Sequence, residues 1–233
     1  MSTRKSHLLA VVPKAHLLLF ALLALSSCQR LPPGQVSEVG EPKPTARAGH
    51  VYLFRGFQDW YSDGIEKLTA ELKTQGIDAE VFREEQYEDV ARAIAKEQSN
   101  EPLVLIGFSY GADDAIEVGH TLEARHIPID LLITIDPVTP NTMPSVVRKG
   151  VNFYQSNGVW DMLPFLRGIP VEPEQSSADL QNIRVNDRRD LVEPNTSHAT
   201  IAANEKLHQE IIKLVLESCP PRGKTAQLSH NPK

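Results

Sequence analysis

The chain has 233 residues, 41% of them hydrophobic and 23% charged, with a formal charge of -6. That balance is long and apolar enough for one sizeable core and excludes a disordered or fibrous chain. Two cysteines exclude a disulfide-dense scaffold, and an acidic body argues against nucleic acid as a partner.

Residues 1–27 carry Arg4, Lys5 and Lys14, no acid, and the run LLLFALLAL from Leu17 to Leu25, followed by Ser26, Ser27 and Cys28. A basic start, a short apolar centre and small residues before a cut make a secretory signal. The apolar run falls short of the roughly 20 residues that a membrane-crossing helix needs. Its end, Leu25-Ser26-Ser27-Cys28, resembles the lipobox of bacterial lipoproteins. That resemblance implies removal of residues 1–27, acylation of Cys28 and anchoring in the bacterial envelope, with Gln29 at the next position implying the outer membrane. Cleavage takes the formal charge to about -9. Without a lipobox, a bridge between Cys28 and Cys219 is the alternative.

Residues 28–49 hold four prolines with Gly, Ser, Glu and Lys and no apolar period, which reads as a flexible tether. Fully extended, its 21 residues after Cys28 reach about 70 Å, and as a coil they average about 25 Å.

From His50 the pattern becomes alternating strands and amphipathic helices, the signature of a mostly parallel sheet covered by helices on both faces. HVYLF forms a strand ending at Arg55-Gly56-Phe57. Asp63 and Glu66 make a capping-box-like start to a helix with Ile65, Leu68 and Leu72 on one face, stopped by Gly76. The strand AEVF follows at 79–82, then a helix over about 87–98. PLVLIGF leads to Ser109, with a helix from Tyr110 to about Ala124. LLITI ends at Asp136-Pro137, where proline stops the ladder. Val151 to Tyr154 and Ile183 to Val185 read as strands, and a last helix covers about 200–217. The folded domain is therefore expected over residues 50–218, with 219–233 a disordered tail.

Gly107-Phe108-Ser109-Tyr110-Gly111 is a G-x-S-x-G pattern with a buried strand before it and a helix after it. In that context the turn strains the serine backbone and exposes its hydroxyl. The glycines are needed where side chains would crowd the turn. The helix beginning at Tyr110 offers free N–H groups and a positive dipole end beside the serine, where an oxyanion needs donors.

On these residues the chain from His50 to about Leu216 resembles an α/β-hydrolase of the small lipase, esterase or thioesterase kind, a minimal fold without a large cap domain. The resemblance implies a triad in the order serine, acid, histidine. His198, in NTSHATIAAN, lies in the loop after the last strand and before the last helix, where the family places its general base. Two carboxylates stand at plausible strand ends: Asp136, directly after LLITI, is preferred, with Asp161 as the alternative and Asp187 and Asp190 behind them. The second oxyanion donor is the backbone N–H of Phe57, beside that of Tyr110, and Arg55 stands where the family often has histidine. Arg55 then pairs with a nearby carboxylate or an anionic group. Asp113 and Asp114 complement the helix dipole. The stretch VWDMLPFLRGIP, 159–170, lines an acyl cleft, forms a small lid or simply packs in the core.

The expected activity is membrane-anchored serine hydrolysis of carboxylic esters, including lipid esters, or thioesters, through an acyl-enzyme. The alternative is a lipoprotein that uses the same fold as a binding or scaffold module without turnover. No metal or cofactor motif is present in the sequence, and none is implied.

Overall fold

The computed structural model describes residues 30–41, 43–97, 99–156, 162–163, 166–174 and 179–223. Cys28 and Asp161, singled out above, and residues 159–160 and 164–165 of the apolar stretch lie outside the described residues. The described residues from Pro32 onward form one compact unit.

Among the described residues there are eight strands: β1 His50–Phe54, β2 Asp78–Phe82, β3 Leu103–Phe108, β4 Leu131–Ile135, β5 Thr142–Met143, β6 Gly150–Tyr154, β7 Glu172–Pro173 and β8 Leu180–Arg184. Six of them form one sheet in the order β2-β1-β3-β4-β6-β8, every pair parallel. The short β5 and β7 pair separately, a feature the apolar pattern did not signal. Every residue of β1, β3 and β4 is buried, as a sheet covered on both faces demands. The covering helices are α1 Asp63–Thr74, α2 Tyr87–Glu97, α3 Tyr110–Glu123, the one-turn α4 His198–Ile201, and α5 Glu205–Ser218. This is an α/β-hydrolase-like architecture. The longest stretch between successive strands of the six-stranded sheet, residues 155–179, is too short for a large cap domain.

Several local expectations are corrected. The Asp63/Glu66 capping box does not form: α1 is preceded by Ser62, whose hydroxyl accepts the Gly56 N–H at 3.1 Å, while Glu66 pairs with Arg55 at 3.1 Å. The last helix is two pieces, because the Asn204 side chain caps a new start by accepting the Leu207 N–H at 2.9 Å. The final strand runs over Leu180–Arg184, and Val185 begins a 3-10 turn.

The tether expectation for residues 28–49 fails over its described part. Gly34 N–H bonds the Val81 carbonyl at 2.8 Å, Val39 is buried, Lys43 pairs with Glu80 and lies 3.6 Å from Asp78, and Arg47 N–H bonds the Gly76 carbonyl at 3.0 Å. This arm runs down the outer edge of β2, covering an edge strand that would otherwise present unpaired backbone groups. Its prolines suit an extended strap as well as a coil, so composition could not separate the two. The tail boundary moves too. Cys219 is fully buried, Ala48 N–H bonds the Pro220 carbonyl at 2.9 Å, and Arg222 N–H bonds the Ala46 carbonyl at 3.0 Å. The folded unit thus includes residues through 223.

Candidate active site

The carboxyl ends of the parallel strands build the site. At the end of β3 the chain turns into α3 through Ser109, whose φ of 57° and ψ of -127° lie in a region that costs a non-glycine residue about 1–3 kcal/mol. Close packing holds that strain. A Cβ on Gly107 would fall 2.0 Å from the Gly111 carbonyl oxygen, and one on Gly111 would fall 2.2 Å from that of Arg55. The two glycines therefore let the start of α3 sit directly against the ends of β1 and β3.

Three of the residues selected from the sequence converge. The Ser109 hydroxyl lies 2.8 Å from His198 Nε2, and His198 Nδ1 lies 2.7 Å from Asp136 Oδ2. Asp136 follows β4 with φ of 55° and is fully buried. With Asp136 ionised, Nδ1 carries the imidazole proton and Nε2 is free to accept from the hydroxyl. Burial pushes the Asp136 carboxyl upward, opposed by its hydrogen bonds to His198 and Gln155. His198 is itself buried and stacks on Phe108 with ring centroids 5.3 Å apart. It opens the short α4 after the cap residue Ser197, rather than lying in a loop before the helix.

Of the other candidate acids, Asp187 and Asp190 are described, and each pairs with an arginine. Asp187 lies 3.8 Å from Arg184 and Asp190 2.6 Å from Arg188. Tyr110 is the first residue of α3, and Phe57 opens a one-turn 3-10 helix, Phe57–Asp59. First-turn N–H groups have no carbonyl one turn back to bond. The Gly56 turn lies against the serine, since a Cβ on Gly56 would approach Ser109 Cβ to 3.3 Å. Arg55 points away from this space: it is buried, 3.1 Å from Glu66 and 3.5 Å from Asp59. The ion pair, not an anion-binding role, accounts for it.

Gln155, Gly168 and the Trp60-Tyr61 pair escaped the sequence reading. Gln155 donates its backbone N–H to Asp136 Oδ1 at 2.7 Å and its side-chain amide to Oδ2 at 3.2 Å, so that Oδ2 is shared with His198 and both oxygens are held. Its place one residue beyond β6 was the available signal. Gly168 packs so closely on Asp136 that a Cβ there would fall 1.8 Å from Oδ1. Asn152 Nδ2 bonds the Ile169 carbonyl at 2.9 Å, and Asn182 exchanges hydrogen bonds of 2.8 Å with both backbone groups of Val171. These side chains hold the Gly168 arm in place.

Asp113, buried in the first turn of α3, receives the Thr139 N–H at 3.3 Å and steadies the loop after Asp136. Burial pushes it up to about 6. Asp114 rises to about 8, through burial first and then the carboxylates of Glu84 and Asp113.

A cavity of about 390 Å³ opens over the serine, lined by Phe57, Trp60, Tyr61, Tyr110 and Leu166 together with Ser109 and His198. The Phe57 ring lies 5.9 Å from Trp60 and 5.7 Å from Tyr110. A hydrogen-bonded hydroxyl, imidazole and carboxylate at the floor of an aromatic cleft can activate an oxygen nucleophile against an electrophile seated among apolar groups.

No protein-family model and no curated protein matches the chain. Among solved structures it is similar to a serine hydrolase without a lid from Xanthomonas campestris, at 15% identity over 82% of this chain and 88% of that one, with a TM-score of 0.44. A cutinase-like protein from Cryptococcus sp. is 11% identical over 73% and 94% of the two chains, with a TM-score of 0.45. The RedJ thioesterase of prodiginine biosynthesis from Streptomyces coelicolor is 11% identical over 84% and 95%, with a TM-score of 0.44. The site is therefore read from its own geometry.

Proposed function

We propose that this protein is a serine hydrolase of carboxylic esters or thioesters, tethered to the bacterial envelope by a lipid on Cys28. Ser109 attacks the carbonyl carbon as His198 Nε2 takes the hydroxyl proton. Asp136 holds the imidazole in the required tautomer and offsets the imidazolium charge. The N–H groups of Tyr110 and Phe57 receive the oxyanion. His198 returns the proton to the leaving oxygen or sulfur, and the resulting acyl-enzyme is hydrolysed when water, deprotonated by His198, attacks the acyl carbon.

The observation that carries this reading is the unbroken hydrogen-bonded line from Ser109 through His198 to Asp136 at the floor of an open cleft. Labelling by a fluorophosphonate tests it directly: wild type is labelled and Ser109→Ala is not. Absence of labelling in wild type, or equal labelling of both, refutes turnover and leaves the binding-module alternative. Asp136→Asn lowers kcat by about 10⁴, as expected when the histidine is held in the wrong tautomer. If Asp161→Asn causes that loss instead, the acid is misassigned.

A further inference from the structure

Among the described residues, the large apolar side chains that stand exposed are Phe57, Trp60, Tyr61, Tyr110, Met162 and Leu163. Single exposed apolar residues are ordinary on a protein surface, but Phe57, Trp60, Tyr61 and Tyr110 are gathered in one place. Four of them line the Ser109 cavity, and Leu163 accepts at its carbonyl the N–H of Leu166, which also lines it. Trp60 is 61% exposed and Met162 82%. An aromatic rim of Trp and Tyr suits a boundary that is apolar on one side and wet on the other.

A second observation is where the chain enters the fold. Gly34 bonds Val81 at the carboxyl end of β2, and Gln86 Nε2 donates to the Gly34 carbonyl at 3.2 Å. Arg83, the residue after β2, lies 3.5 Å from Asp59, the neighbour of Trp60. The arm therefore joins the body at the end of the sheet that carries the cleft. Cys28 precedes Gly34 by six residues, a reach of at most about 20 Å. A lipid on Cys28 thus cannot hold the body far from a membrane, and it pulls on the cleft end.

We propose that the anchor and the aromatic rim together dock the cleft face-down on a phospholipid bilayer, and that the substrate is an apolar ester resident in that bilayer. The substrate half rests on the hydrolase reading and the docking half on acylation of Cys28.

The test uses the acylated chain with Cys219→Ser and an environment-sensitive fluorophore on Met162→Cys, reconstituted in phosphatidylcholine vesicles with acyl-brominated lipid. The control carries the fluorophore on Arg125→Cys, an exposed position just beyond α3 at the opposite end of the sheet. The expected result is co-flotation of both proteins, with several-fold stronger bromine quenching at 162 than at 125. In a Trp160→Phe chain without labels, Trp60 emission is quenched in the same way, which covers failure of the Met162 variant to fold.

Loss of co-flotation, or equal quenching at the two positions with Trp60 unquenched, overturns the proposal. Dimerisation without vesicles that shields position 162 also overturns it, assigning the face to a second copy of the chain. Turnover of 4-nitrophenyl acetate by the unlipidated Cys28→Ser chain is read separately. Quenching without that turnover removes the substrate half through the hydrolase reading, whereas turnover without quenching overturns the proposal and leaves the hydrolase reading standing.

Discussion

Gly168→Ala isolates the support behind the acid of the proposed triad. A Cβ at this position would sit 1.8 Å from Asp136 Oδ1, whereas real Cβ atoms essentially never come within 3.0 Å of a neighbour, so something must move by more than about 1 Å. The arm is restrained by Asn152 and Asn182, and the carboxylate by Gln155 and His198, so each route of relief breaks hydrogen bonds. If the carboxylate yields, His198 turns with it and a misplacement of about 1 Å costs about 10²-fold in kcat. If the arm yields instead, overpacking costs about 1–3 kcal/mol of stability. The assay is kcat and KM on a soluble 4-nitrophenyl ester, with urea denaturation alongside. In an Asp136→Asn background Gly168→Ala should add little further loss of kcat, because the two changes act through one group. A Gly168→Ala enzyme with wild-type kcat and wild-type stability would refute the packing argument.

Arg55→Met leaves Glu66 buried without its cation and should cost about 3–5 kcal/mol by urea denaturation; a loss below about 1 kcal/mol contradicts a structural ion pair. Asp114→Asn removes a carboxyl whose folded pKa, about 8, lies above its ordinary 3.8. A raised acid binds its proton more tightly when folded, so its ionisation cost is absent below about pH 4, grows through the window from about 4 to 8, and is complete above it. Partial exposure reduces the full linkage value to about 1–2 kcal/mol, so the variant should gain that much at pH 9 and nothing at pH 4. A gain independent of pH would refute it. Burial pushes the Cys219 thiol up to about 12, so iodoacetamide at pH 8 should modify it only after unfolding.

Much of the fold was legible because the central strands are continuous apolar runs bounded by Gly, Pro or a polar residue, and because each is followed by a helix-period segment. The site was legible where local chemistry leaves a mark: the glycines around Ser109 are dictated by backbone contact, and Asp136 stands immediately after an apolar strand. Gln155 and Gly168 were not, since their roles arise from approach to Asp136 across distant stretches of chain. The edge-covering arm was misread for a related reason. Its partners lie in β2 and beyond Cys219, and a Pro-rich composition without an apolar period does not announce a surface strap. The Asp63/Glu66 pattern fits a capping box locally, yet a buried Arg55 competes for Glu66 and wins.

The meeting of the arm with the opposite end of the domain also sets an order of events during folding. Ala46 and Ala48 emerge early in synthesis, yet their hydrogen-bond partners, Arg222 and Pro220, emerge late. Closing so long a loop is entropically slow, and contacts of such high sequence separation form late. Until they form, this end of the β2 edge strap lacks its C-terminal clasp. A chain truncated before residue 219 would lose these hydrogen bonds and carry a loosened sheet edge, which favours aggregation.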